Sequence, residues 1–183
     1  MVESALITYS IDSYKSELRA AVRGLYQGVL DIDGFWQSMQ GTIRRGLTRA
    51  WERGAGEFGV ALNELTQAEQ VALQSAILYE YQWIQGYAEV IIESRNESRP
   101  TLPPSKIYSR LQPWIGRYEG VRSKARAMAA GDEKLKWVRG ATSDACRSCM
   151  ALSGKVKRAF WWISMGILPR THGVEYLTCK GFN

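Results

Sequence analysis

The sequence predicts a mainly α-helical protein, with a long-helix body over residues 1–133 and a small mixed α/β module over residues 134–183. Apolar residues recur every three or four positions through most of the first 130 residues, as on the buried face of a helix. After residue 133 the pattern changes to short segments around two closely spaced cysteines, Cys146 and Cys149. The chain has 183 residues, 45% of them hydrophobic, which is enough to bury a core.

The first two helices are predicted from their apolar stripes. Ser10 or Asp12 can cap the first helix. Its stripe is Ile11, Tyr14, Leu18, Val22, Leu25 and Val29. The second helix runs from Asp33 to near Gly56 or beyond, and its stripe is Trp36, Met39, Ile43, Leu47, Ala50, Trp51, Gly54 and Phe58. Each interior Gly costs about 1 kcal/mol of helix propensity. The many glycines of this segment therefore predict either close packing against another helix or a break at 54–59.

The third helix has the clearest start signal in the chain. Thr66 and Glu69 have the spacing of a capping box, in which each side chain satisfies a backbone N–H of the other residue. The helix is predicted over 67–94, with the buried face Leu73, Ile77, Tyr81, Ile84, Ala88 and Ile91. The polar and then Pro-rich stretch at 95–104 predicts an exposed linker.

The fourth helical pattern is capped by Ser105 and should kink or split at Pro113, because proline lacks the N–H that a helix interior needs. Its buried stripe is Ile107, Leu111, Trp114, Tyr118, Val121, Ala125 and Met128. Gly131 is expected to end it. Beyond it, 135–138 is predicted as a short strand that pairs with 155–157, with the Cys pair in the connection.

Charge is distributed unevenly along the chain. Residues 1–105 carry 9 Lys and Arg against 13 Asp and Glu, whereas residues 106–183 carry 15 against 5. A basic half favours contact with nucleic acid or an acidic protein surface, although basic helix faces are often only solvated. The candidate contact residues are Arg110, Arg117, Arg122, Lys124, Arg126, Lys155, Lys157 and Arg158. The aromatics at 160–162 could stack on bases, or could anchor the module to the helices or to a partner.

The cysteines suggest a metal site. Cys146 and Cys149 are spaced to reach one ion, and Cys179 with the single histidine, His172, would complete a tetrahedral set suited to Zn²⁺. A further Cys beyond residue 183 could replace His172 if the natural chain continues. The alternative is that the thiols are packed in a small core. A redox Cys pair is disfavoured because it does not follow a βαβ pattern.

The order Trp137, Asp144, Cys146-x-x-Cys149 and Leu152-x-Gly154 resembles the C-terminal module of phage minor head proteins, the head morphogenesis family of the Mu F-like type. Pro169 and Cys179 match later positions of the family's motif, whereas the family's His-Pro and second terminal Cys have no counterpart here. The resemblance covers roughly the last quarter of the chain.

That resemblance implies a virion component: a portal-associated minor head protein that acts in capsid assembly and head morphogenesis. Its implied partners are the portal protein, the major capsid protein and packaged double-stranded DNA. It would reside in the virion capsid, and in the host cytoplasm during assembly. One alternative is a zinc-containing nucleic-acid-binding module of cellular or prophage origin. A weaker one is an enzyme with a nucleophilic site near Asp144 and Cys146.

Other classes of protein are disfavoured by what the sequence lacks. There is no P-loop, no G-x-G-x-x-G and no nucleophile elbow, so a non-enzyme is expected. The N-terminus has neither a basic region nor a long apolar run, and no signal peptide is expected. The most apolar long stretch, 71–92, carries Glu80 and Glu89 and is too polar to span a membrane. Three cysteines, all after residue 140, fit a reduced setting better than a disulfide framework.

Overall fold

A computed structural model describes residues 9–95, 102–138, 145–170 and 177–178. This part of the chain is mainly α-helical with one small two-stranded sheet, as predicted. The elements in chain order are α1 (Ile11–Tyr26), α2 (Ile32–Gly56), a 3₁₀ turn (Leu62–Glu64), α3 (Gln67–Tyr81), α4 (Ile84–Ser94), α5 (Pro104–Ser109), α6 (Gln112–Ala129), β1 (Lys134–Lys136), α7 (Arg147–Leu152), β2 (Val156–Arg158) and α8 (Ala159–Ser164).

Helix α1 begins where its sequence predicts. Ser10 is the N-cap, and its hydroxyl accepts a hydrogen bond from the Ser13 backbone N–H at 3.2 Å. The buried residues include Tyr14, Leu18, Val22 and Leu25 of the predicted stripe. Val29 was wrongly included in that stripe. It follows the end of the helix and is 77% exposed, because the periodicity applies only while the chain remains helical.

Helix α2 continues through Gly41, Gly46 and Gly54 and ends at Gly56, inside the range 54–59 that was predicted as the alternative. Its buried face begins at Phe35 and continues through Met39, Ile43 and Leu47, each four residues after the last. Trp36 was predicted at the start of this stripe but is only half-buried, because Phe35 holds the position four residues before Met39. The expected close packing occurs at Gly54, where an added Cβ would lie 2.2 Å from the carbonyl oxygen of Arg122 in α6.

The predicted single helix over 67–94 was wrong in its interior, since it divides into α3 and α4 at Gln82 and Trp83. The Gln82 amide donates to the Tyr79 carbonyl at 2.8 Å, and the Trp83 N–H bonds to the Glu80 carbonyl instead of to that of Tyr79. A side chain therefore occupies the acceptor that a continuous helix would use at this point. The capping box at the start of α3 is present: the Thr66 N–H donates to the Glu69 carboxylate at 2.9 Å.

The fourth helical pattern splits into α5 and α6, as Pro113 predicts. Proline is tolerated in the first turn of α6, where the backbone N–H groups have no intrahelical partner. Ser105 is not the cap that was predicted: Pro103 is the N-cap of α5 and Pro104 its first residue. A proline at that position supplies the helical φ directly. Gly131, with a φ of 55°, follows the end of α6 as expected.

The chain divides into two compact units. The first unit contains the described residues up to Arg49 together with Ile77–Ile115, and within it α1 packs against α4. The second unit contains Ala50–Ala76 and the described residues from Gly116 onward. The predicted boundary between 1–133 and 134–183 remains a prediction.

Candidate functional site

The predicted pair of short strands forms in the second unit. β1 and β2 are antiparallel, with Leu135 opposite Lys157. The ladder extends past the strand ends, because the Trp137 N–H donates to the Lys155 carbonyl at 2.8 Å. We call this structure the ribbon. The connection between its strands contains α7, whose N-cap is Cys146 and whose first turn holds Cys149.

The cysteines of the Cys pair lie at the start of α7. Cys146 is the N-cap, and its sulfur accepts a hydrogen bond from the Cys149 backbone N–H at 3.4 Å. Both cysteines are half-buried. The thiolate form of cysteine is the one that binds a metal ion. The turn therefore brings the Cys146 sulfur beside the backbone of Cys149.

The chain reverses immediately after α7. Ser153 (φ −55°, ψ 127°) and Gly154 (φ 81°) are the central residues of a type II turn, which requires a positive φ at its third position. The Lys155 N–H closes the turn on the Leu152 carbonyl at 2.9 Å, and the Gly154 N–H donates to Trp137 at 3.0 Å. This turn brings the chain back alongside β1.

An apolar cluster lies beside the ribbon and the Cys pair. Its buried members are Ala127, Trp137, Leu152, Trp162, Ile167, Leu168 and Leu177, and Cys149 packs against them. The rings of Trp137 and Trp162 have centroids 5.5 Å apart, and the Trp162 indole N–H donates to the Leu135 carbonyl at 3.1 Å. Trp162 is therefore an anchor of the module, whereas Phe160 is 57% exposed.

A clasp between Ser148 and Thr178 brings residue 178 beside the Cys pair. The Thr178 N–H donates to the Ser148 hydroxyl at 2.7 Å, and the two hydroxyl oxygens lie 3.1 Å apart. The Ser148 hydroxyl is also 3.2 Å from the Cys146 sulfur. Sequence reasoning missed both residues of this clasp, because no local pattern links positions 30 residues apart.

Two of the four predicted metal ligands, His172 and Cys179, lie outside the described residues. Within the described part of the chain no group of three His, Cys, Asp or Glu side chains is arranged to hold a metal ion. The predicted set of Cys146, Cys149, Cys179 and His172 therefore stays a prediction. Its geometric support is the clasp, since Thr178 immediately precedes Cys179.

The predicted basic residues of α6 differ in their surroundings. Glu57 binds Arg122 at 2.8 Å and Arg126 at 3.0 Å, and its hydrogen bond raises the pKa of Arg122. Partial burial, and then the charge of Arg117, lower the pKa of Lys124. Much of the positive charge on this helix is thus balanced by Glu57 or partly withdrawn from water, which weakens α6 as a contact for a polyanion.

The ribbon is a stronger cationic feature than the sequence reasoning recognised. Lys155 is exposed, the Lys157 ammonium lies 5.4 Å from the centre of the Trp161 ring, and Arg158 binds Asp132. Lys134 and Lys136 were not predicted as contact residues, yet both are exposed in β1. The alternation of lysine with an apolar residue at 134–136 was the sequence signal that could have identified them. The remaining candidate, Arg110, is exposed at the end of α5 in the first unit.

No family model, curated protein or solved structure matches the chain. The described helices include none with the length and apolar character needed to cross a lipid bilayer.

Proposed function

We propose that this protein is a non-catalytic phage virion component, a minor head protein that acts in head morphogenesis at the portal and contacts packaged DNA. The observation that carries the proposal is the spaced set of Trp137, Cys146, Cys149, Leu152 and Gly154, which resembles the C-terminal module of such proteins. Its support is that these residues, dispersed in sequence, belong to one folded module.

Each residue of that set has a distinct part in the module. Trp137 and Leu152 are buried in the apolar cluster, Cys146 caps α7, and Gly154 has the positive φ that the turn requires. A motif whose members all stabilise one small structure is more specific than a lone C-x-x-C. That structure, with its exposed basic ribbon, suits a docking module of a larger assembly better than it suits an enzyme site.

The virion assignment is tested in the phage or prophage whose genome encodes the chain. Purified particles should contain the protein, and an affinity-tagged copy should recover the portal protein from infected or induced cells. The matched variant is Gly154→Val. It should not form the turn, because valine does not readily adopt the positive φ of this position. Absence of the protein from purified particles would overturn the assignment.

A second candidate function is zinc binding by Cys146, Cys149, Cys179 and His172. The clasp favours it, because the Thr178 N–H on the Ser148 hydroxyl holds the residue before Cys179 beside the Cys pair. Thiol ligands must lose their protons, and the free energy of metal binding becomes folding free energy of the module. A bound zinc ion would supply a structural cross-link at this turn.

Metal content by mass spectrometry on protein purified without added metal tests this candidate. About one zinc ion per chain is expected, and the double variant Cys146→Ser, Cys149→Ser should carry none. Chelation should expose the chain after about residue 137 to proteases while the helical body keeps its circular dichroism. A metal-free wild type whose module still resists proteolysis would contradict zinc binding. That result would mean that the cysteine thiols serve only as packing groups.

The alternative of a cellular or prophage zinc-containing nucleic-acid-binding module makes a different prediction. Such a protein would bind zinc and DNA but would be absent from particles and would not recover a portal protein. The particle and metal measurements together therefore separate the two assignments.

A further inference from the structure

The register of the ribbon defines one solvent-exposed face. Side chains alternate across a β-strand, so residues of matching parity on β1 and β2 share a side. One side carries Leu135, with Trp137 beyond it in the apolar cluster. The opposite side, which we call the outer face, is formed by Lys134, Lys136, Val156 and Arg158, all of them exposed.

The outer face concentrates positive charge at a cost in stability. Three of its four residues, Lys134, Lys136 and Arg158, are Lys or Arg. Lys134 lies directly opposite Arg158, and like charges in that position are destabilising. Asp132 binds Arg158, but within the described residues neither Lys134 nor Lys136 has an acidic partner. An external polyanion bound to this surface would relieve the repulsion between its cations. The outer face is therefore suited to bind a polyanion.

We propose that the outer face of the ribbon binds the phosphate backbone of duplex DNA without sequence preference. Lys134 and Lys136 are two positions apart on one strand, so the points where their side chains leave the backbone lie about 6.6 Å apart. A regular row of cations fits the regular charge of a duplex better than it fits scattered carboxylates.

This inference deepens the DNA contact in the proposed function by giving it a surface and two residues, Lys134 and Lys136. The inference depends on the proposed function only in taking packaged phage DNA as the source of the duplex. The binding is measured with purified protein, so its failure would leave the virion assignment standing, and absence from virions would leave the DNA surface standing.

The test is titration of a fluorescent 30-base-pair duplex by the full chain, at several salt concentrations and with two unrelated sequences. The wild type should bind both sequences equally, with a steep fall in affinity as salt rises. The Lys134→Gln, Lys136→Gln variant should bind at least roughly ten-fold more weakly near 0.1 M salt. Its slope of log affinity against log salt should be shallower by about 1.8, since each lost phosphate contact removes about 0.9.

The matched control is Arg19→Gln, Arg23→Gln, which removes two exposed cations from α1 and lowers the net charge by the same amount. It should keep the wild-type affinity and slope. Circular dichroism and melting temperature should show that both variants are folded. Equal losses in the two variants would mean that binding follows net charge alone, and would overturn the inference. Tighter binding of poly-glutamate than of the duplex at equal salt would also overturn it, by assigning the face to an acidic protein.

Discussion

The cores of the two units are stabilised in different ways. In the first unit, long helices bury residues spaced by three and four, such as Leu18 and Val22 of α1, and the Tyr87 hydroxyl adds a 2.8 Å bond to the Ile107 carbonyl. In the second unit, strands and helices of three to six residues form the tryptophan cluster together with Ala127 of the longer helix α6. The first core repeats one simple contact many times, whereas the cluster depends on a few large side chains, each of which matters more.

The largest effect is expected from placing a charge in the helical core. Ile84 is fully buried at the start of α4, so Ile84→Asp should destabilise the protein by about 4 kcal/mol or more, because the carboxylate would lose its hydration without gaining a partner. Urea unfolding measures this. Val71→Asp, at a position 58% exposed in α3, is the control and should change stability by less than about 0.5 kcal/mol. A stable Ile84→Asp protein would refute the assigned helical core.

Truncation of one tryptophan tests whether the second core depends on a few large side chains. Trp162→Ala removes the ring contact with Trp137 and the bond to the Leu135 carbonyl, at a cost of about 3–5 kcal/mol. Limited proteolysis with mass spectrometry should then find new cleavages after residue 130. Phe160→Ala, at an exposed neighbour, should leave the digestion pattern as in the wild type. Protection of the Trp162→Ala module would show that the cluster does not hold it together.

A smaller effect is expected where α2 and α6 meet in the second unit. Gly54→Ala would place a methyl group against the carbonyl of Arg122, and forcing the helices apart should cost about 1–3 kcal/mol. Gly86→Ala in α4 is the control, because nothing lies within 4 Å of its added Cβ. That variant should gain up to about 1 kcal/mol from helix propensity. Equal melting temperatures for both variants would contradict the close packing at Gly54.

The smallest effect concerns the surface ion pairs. Glu57→Gln removes the pairs with Arg122 and Arg126, and should cost about 0.2–1 kcal/mol at low salt and less at high salt, because exposed pairs are screened. Glu119→Gln, whose carboxylate is 3.8 Å from Arg122, is the control and should cost less. Thermal unfolding at two salt concentrations distinguishes them. A salt-independent loss would indicate a packing role for Glu57 in place of an electrostatic one.

Much of the fold could be predicted from local signals. The Ser10 and Thr66 caps, the stop at Gly131, the split at Pro113 and the pairing of the two short strands all follow from residues a few positions apart. The interruption of the helix at Gln82 could not be predicted in this way. A glutamine side chain can hydrogen-bond to water as readily as to the Tyr79 carbonyl. The turn at Gly154 belongs to the predictable group, since its positive φ favours glycine.

The sequence by itself determined most of the helices, most of their buried faces and the local shape of the Cys turn, because each depends on a periodicity or spacing within a few residues. Only the tertiary structure decided which distant groups meet. The clasp joins Ser148 to Thr178 across 30 residues, and Glu57 binds Arg122 across 65. It also set the outer face of the ribbon, because the register of β1 against β2 decides which lysines share a side. Contacts of this kind depend on how the packed elements direct their side chains, and no short stretch of sequence carries that information.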